Sequence, residues 1–274
     1  MKNKMPVMLT FDVDGETLWL CRDPENARRP VCLSLGRYGI IEGVPRILRL
    51  LERHGISATF FVPGMIAERY PDTVRSIAEK HHEIGNHSYS HTYPDKFPSK
   101  EAEEEEYLKT NQLLERLIGK VPKGYRSPAW EFSEHTLDIL LKMGFAYSSN
   151  MMHTDRIGLL EVFDRRTNIV ELPVHWVLDD AAFWLYSVRI VGKSMQPLSA
   201  VEEYWKMEFD GLYDEFCMEE DSDICFVLTC HPQVIGRPGR MKVLGNLITH
   251  IKGKQNVELM TCYEAAKRYK EKHP

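Results

Sequence analysis

Four short stretches of this 274-residue chain carry side chains that hold metals and move protons. They are Thr10-Phe11-Asp12-Val13-Asp14, His87-Ser88-Tyr89-Ser90-His91, Arg126-Ser127-Pro128 and Leu228-Thr229-Cys230-His231. Together they offer two carboxylates, three imidazoles and a guanidinium. Such a set suffices for a metal that activates water, with a base and an acid to move protons. Singly, each stretch is a weak signal. Asp12 and Asp14 sit two apart on an apolar run, so as a strand both point to one side. Two carboxylates that close repel unless a cation or a shared proton lies between them, yet an isolated D-x-D is more often a solvated strand end. His87 and His91, four apart, share one face of a helical turn. Neutral imidazole is a good ligand for borderline metals, although His81 and His82 nearby make a histidine-rich surface loop an equal alternative. Arg126 can hold a carboxylate in a two-pronged bond, but a lone arginine is more often a surface residue. His231 stands where an apolar strand ends and Pro232 forces an exit.

The elements that must position these groups follow from periodicity. Pro45 opens a helix with apolar Ile47, Leu48 and Leu51, Gly55 closes it, and residues 56–62 follow as a β-branched and aromatic strand. Ser133 caps a helix with apolar Leu137, Ile139, Leu140 and Leu141; Gly144 ends it, and residues 145–149 read as a strand. The first strand is Pro6–Phe11. Further strands are expected at 82–84, 124–126, 169–174 and 224–229, and helices at 73–80, 101–118, 200–213 and 263–270. Strands alternating with helices imply a parallel sheet with crossover helices. The expected fold is α/β, a distorted or incomplete (β/α) barrel. No glycine-rich phosphate loop follows the first strand, which argues against an open dinucleotide-binding sheet. With no repeat or flexible linker, residues 1–274 are expected to form a single catalytic domain. Residues 20–40 and 177–196 lack periodicity and read as lids, binding loops or plain insertions. The acidic run Glu103–Glu106 reads as a solvated helix start, favoured by the helix dipole.

Composition is that of an ordinary globular protein, 43% hydrophobic and 27% charged. A net charge of −5, with dispersed basic residues, predicts no nucleic-acid partner. The apolar stretch Pro6–Leu9 is too short for a secretion signal, and no segment is long and apolar enough for a bilayer. The six cysteines lack C-x-x-C pairing and are expected as reduced thiols. Together these features predict a cytoplasmic protein with no membrane partner.

In a barrel, functional side chains gather at the rim where strands end, and all four stretches fit that placement. With these motifs in this order, the chain resembles the polysaccharide deacetylase family, carbohydrate esterase family 4, from Thr10 to about Gln233. The resemblance implies a distorted (β/α) barrel and a metal-dependent hydrolase of non-peptide carbon–nitrogen bonds. It assigns Asp12 as general base and Asp14, His87 and His91 as metal ligands. Arg126 would orient the base, and His231 would be the general acid. A weaker match at Trp176-Val177-Leu178-Asp179-Asp180 implies that one of these acids, Asp180 first, tunes His231. The chain departs from the family's usual pattern in Val13 between the opening acids, in Ala129 before Trp130, and in Pro232-Gln233 after His231. These departures resemble a branch with atypical peptidoglycan deacetylase-like proteins, allantoinases and cyclic-imide hydrolases. That branch implies a homo-oligomer, commonly a tetramer.

The expected mechanism has one divalent metal, zinc first, with iron(II), manganese and cobalt also suited to two histidines and a carboxylate. A backbone N–H near Trp130 would stabilise the oxyanion, and Trp19, Trp130 and Trp176 would wall the substrate pocket. The expected substrate is an N-acetylated sugar or glycan; the alternative is a small cyclic imide or ureide. A magnesium-dependent phosphatase with Asp12 as nucleophile is more distant, because it leaves three histidines without roles.

Overall fold

Met5–Asp12 is apolar at most positions and wholly buried, and as β1 it is the strand on which the sheet is built. The computed structural model describes residues 4–186, 194–219 and 222–274. The other strands are β2 (Thr59–Val62), β3 (Glu83–Asn86), β4 (Gly124–Tyr125), β5 (Tyr147–Ser148), β6 (Gly158–Val162), β7 (Arg165–Glu171), β8 (Phe226–Cys230) and β9 (Val257–Leu259). They form one sheet in the order β6-β7-β5-β4-β3-β2-β1-β8, with β9 added to the start of β1. Every pairing is parallel except β6 with β7. The sheet curls into a half-barrel with helices outside, as expected of an incomplete (β/α) barrel. An isolated antiparallel bridge, Arg156 to Ile224, links the segments that lead into β6 and β8.

The α-helices are α1 (Thr17–Leu20), α2 (Pro30–Tyr38), α3 (Val44–His54), α4 (Gly64–Arg69), α5 (Pro71–Glu79), α6 (Lys100–Ile118), α7 (Thr136–Met143), α8 (Asp180–Trp184), α9 (Leu198–Met218), α10 (Pro232–Ile235), α11 (Pro238–Lys252) and α12 (Cys262–Lys272). Their ends carry readable chemistry. Gly55, Gly119 and Gly144 leave α3, α6 and α7 in the left-handed conformation. Ser99 caps α6, and Thr261 with Glu264 forms a capping box on α12. α3 buries Ile47, Leu48, Leu50 and Leu51 against the sheet, each contributing about 2 kcal/mol.

The sequence reading placed no element at α4, α11 or β9, and three further regions depart from it. Only one strand was expected at 169–174, but β6 and β7 form a hairpin. Its two turn residues, Phe163 and Asp164, both have positive φ, 51° and 59°. That geometry suits a two-residue hairpin, but it is usually signalled by Asn-Gly, which is absent here. Residues 20–40 are not an irregular insertion: a 3₁₀ turn Pro24–Arg28, α2 and a π turn Gly39–Gly43 occupy them. Gly36 is required there, since a Cβ would lie 2.4 Å from the Gly15 carbonyl carbon. In 177–196, a 3₁₀ turn Trp176–Leu178 leads into α8, while residues 187–193 lie outside the described residues. Among the described residues, no helix is long and apolar enough to cross a membrane.

Candidate metal centre and its proton-transfer groups

Parallel pairing turns the C-terminal ends of β1, β2, β3, β4 and β8 toward one rim. Asp12 ends β1, and Asp14 lies just beyond it, before the left-handed Gly15. The loop His87–His91 leaves β3, Arg126 follows β4, and His231 follows β8. A parallel bridge from Asp179 to Thr229 brings Asp179 and Asp180 alongside β8.

Asp14, His87 and His91 converge. One ligand atom from each lies within 4.8 Å of the others. Asp14 Oδ1 is 3.4 Å from His87 Nε2 and 3.5 Å from His91 Nε2. His87 Nδ1 is 2.7 Å from the Arg126 carbonyl, so it must donate, and Nε2 is left facing Asp14. His91 Nδ1 rests 3.5 Å from Cys21 Sγ. Burial lowers the His91 ring to about 4; Asp14 pulls the other way, while His87 and His231 add to the lowering. Burial alone would raise the Asp14 carboxyl, but His91, His231 and His87 outweigh it and hold it well below the usual range. Asp14 Oδ1 is buried and has no hydrogen-bond partner. An orphaned anionic oxygen facing two imidazole nitrogens is costly unless a cation completes it, so these residues fit a divalent metal.

Asp12 lies on one flank. Arg126, fully buried, donates from Nη1 to Asp12 Oδ1 at 2.8 Å and to Thr10 Oγ1 at 2.7 Å. Its Nη2 and Nε go to the Ser149 hydroxyl and carbonyl, and its face lies over Phe61. The guanidinium is therefore locked, but it meets Asp12 through one nitrogen rather than the expected two-pronged bond. The free Asp12 oxygen, Oδ2, is 3.9 Å from His87 Nε2.

His231 lies on the other flank. Asp180 Oδ1 is 2.7 Å from His231 Nδ1, and both Asp180 oxygens accept the His231 backbone N–H. Asp179 lies farther off, at 3.6 Å, and accepts the Ala181 N–H instead. Asp180, not Asp179, is thus the bonded partner. Burial works against a charged His231 ring, but Asp179, Asp14 and the Asp180 bond overcome it and raise its pKa well above the ordinary value. Burial pushes Asp179 up to about 7. Nε2 of His231 faces the centre, 3.7 Å from Asp14 Oδ2.

Asp12, Asp14, His87, His91 and His231 line a cavity of about 80 Å³ that also touches Trp130 and Trp176. The two indoles pack with centroids 4.4 Å apart. Trp19 does not line this cavity; it lines a cleft of about 440 Å³ that shares Leu185 with it. The Trp130 N–H is taken by the Ser127 carbonyl at 3.0 Å, so it is not free to meet an oxyanion.

Several residues at the site were not legible in sequence. Gln233 Nε2 reaches Asp14 Oδ2 at 3.4 Å. The acidic run at the start of α6 is not merely solvated. Glu103 is fully buried and accepts from Tyr107, Ser133 and Thr136, and Glu106 bonds the loop between the two histidines. A buried carboxylate satisfied by neutral hydroxyls leaves no signature beyond its own letter.

The polysaccharide deacetylase family model matches residues 2–148. The chain is 31% identical to the peptidoglycan deacetylase of Helicobacter pylori, over 100% of this chain and 99% of that protein. A crystal structure of a Mycobacterium smegmatis protein assigned as a polysaccharide deacetylase superposes with TM-score 0.90 at 34% identity, covering 99% of this chain and 92% of that one. The PuuE allantoinase shares the fold, with TM-score 0.82 at 22% identity, covering 98% of this chain and 91% of that one. The matched motifs and the whole-length relative agree: this chain belongs to the polysaccharide deacetylase family, hydrolases of non-peptide carbon–nitrogen bonds.

Proposed function

We propose that the chain, as one catalytic domain, is a metal-dependent amide hydrolase that removes the acetyl group from an N-acetylated sugar or glycan. The observation that carries this reading is the buried Asp14 oxygen without a partner, facing two imidazole nitrogens, with a buried carboxylate on one flank and a cationic imidazole on the other. Asp14, His87 and His91 would hold one divalent cation, zinc first; bound there, it supplies Lewis acidity to the amide carbonyl and acidifies water. Asp12 takes the proton of the attacking water, with Arg126 keeping it aimed. His231, charged before reaction, gives its Nε2 proton to the leaving nitrogen while Asp180 holds Nδ1. Trp130 and Trp176 close the cavity over the acyl group. Six free cysteines support a reducing, cytoplasmic setting. A homo-oligomer belongs to the same proposal, on the family resemblance alone.

A second reading keeps the chemistry and changes the substrate to a small cyclic imide or ureide. The cavity of about 80 Å³ favours it, since little beyond the scissile group fits inside. One panel separates the two: acetate release from N-acetylglucosamine oligomers and ring opening of cyclic imides and ureides, measured separately on protein stripped with chelator and reloaded with zinc. We expect zinc to restore acetate release. Ring opening without acetate release would select the second reading, and neither activity at any metal would reject both.

Asp180→Asn should cut kcat by about 10²-fold or more, the range for a mispositioned general acid. It should also change the pH profile. His231 acts protonated, so activity is present below its pKa and lost above it. Removing the Asp180 charge lowers that pKa, and the alkaline limb should move to lower pH. An unmoved alkaline limb in a pH–rate series would remove Asp180 from this role.

A further inference from the structure

We propose that Glu106 is a positioning residue of the metal centre: its carboxylate fixes the Ser88–Ser90 segment, and through it the meeting of His87 and His91 with Asp14. The inference rests on the reading of those three residues as ligands. Glu106 Oε2 accepts four hydrogen bonds, from Ser88 Oγ at 2.9 Å, Tyr89 N at 3.0 Å, Ser90 N at 2.7 Å and Ser90 Oγ at 2.8 Å. The segment is neither helix nor strand, so its N–H groups have no ladder to join. Its carbonyls are held from the other side: Gly64 N and Thr110 Oγ1 bond Ser88 O, and Met65 N bonds Tyr89 O. Glu106 is the complementary half of that clamp.

The clamp matters because the loop is strained at its two ends. Ser88 and His91 both have left-handed backbones, φ 60° and 63°, which L side chains adopt only when the surroundings hold them there. His87 has a second anchor in the Arg126 carbonyl. Outside the triad, His91 has the weaker contact of Cys21 Sγ. Its imidazole therefore depends most on the loop that carries it. One turn earlier on α6, Glu103 bonds Tyr107, Ser133 and Thr136 and makes no bond to this loop. It is a natural control, an acid of the same helix with equal claim to a structural role.

The experiment measures the zinc dissociation constant of the full chain by competition with a chromophoric chelator, beside thermal melting and amide hydrogen exchange. Glu106→Ala should weaken zinc binding about 10- to 100-fold, the range for lost outer-shell partners, and speed exchange at Tyr89 and Ser90. Glu106→Gln keeps an oxygen acceptor in place and should recover most of the affinity. Glu106→Asp keeps the charge but shortens the reach, and should behave like Ala; it carries the test if Ala does not fold. Glu103→Gln should lower the melting temperature and leave zinc affinity unchanged. Wild-type affinity in folded Glu106→Ala or Glu106→Asp overturns the inference alone. A wild-type chain that takes no zinc, or a His91→Ala chain that binds it equally well, overturns the metal reading and this inference with it.

Discussion

Replacing Asp14 by Ala is expected to remove bound metal and amide hydrolysis together, whereas Asp12→Asn should remove hydrolysis and leave metal content intact. The split follows from geometry. Asp14 Oδ1 lies within 3.5 Å of both imidazole nitrogens and has no hydrogen-bond partner, so its loss removes the one carboxylate that faces both. Asp12 stands to the side, its near oxygen taken by Arg126 and its far oxygen 3.9 Å from His87. An amide at that position accepts no proton from water, and kcat should fall about 10²- to 10⁴-fold, the usual contribution of a general base. His87→Ala should resemble Asp14→Ala. Elemental analysis and turnover on the same preparations decide the matter; equal metal in wild type and a His87/His91 double mutant would end the proposal.

The second large effect is on stability. Arg126→Met should destabilise the fold by about 3–5 kcal/mol, the cost of leaving one member of a buried ion pair uncompensated. Both partners are buried: Arg126 is 0% exposed and Asp12 3%. Arg126 also satisfies Thr10 and Ser149, so its loss orphans more than one group. A fall in Tm on the order of 10 °C is expected. Adding Asp12→Asn should return part of the loss, because the stranded charge disappears; strict additivity in that double-mutant cycle would show that the pair is not coupled.

The clustered groups were legible because each sits at a strand end marked by local chemistry. Asp12 and Asp14 follow a continuous apolar run, His231 precedes a proline, and Arg126 stands before Ser127-Pro128. A parallel sheet then sends all such ends to one rim, so order along the chain was enough to predict convergence. What escaped was information held only in three dimensions. Glu103 and Glu106 look like any acidic helix start, and only the fold turns them inward. The β6–β7 hairpin lacks turn residues that advertise it, and α2 lies in a segment whose prolines and glycines mimic a loop. The preference for Asp180 over Asp179 rests on α8: Asp179 is spent on its N-cap, which leaves Asp180 for the imidazole.

The position of β8 has a consequence for how the molecule comes into being. It pairs with β1 across most of the chain, Thr10 beside Thr229, and it delivers His231. While the ribosome is still making the polypeptide, β1 can find β2 early but must wait for this neighbour. Until then it presents an open apolar edge, the kind that chaperones shield and stray strands capture. A nascent chain thus carries Asp14, His87 and His91 well before it carries His231, the acid of the proposed reaction.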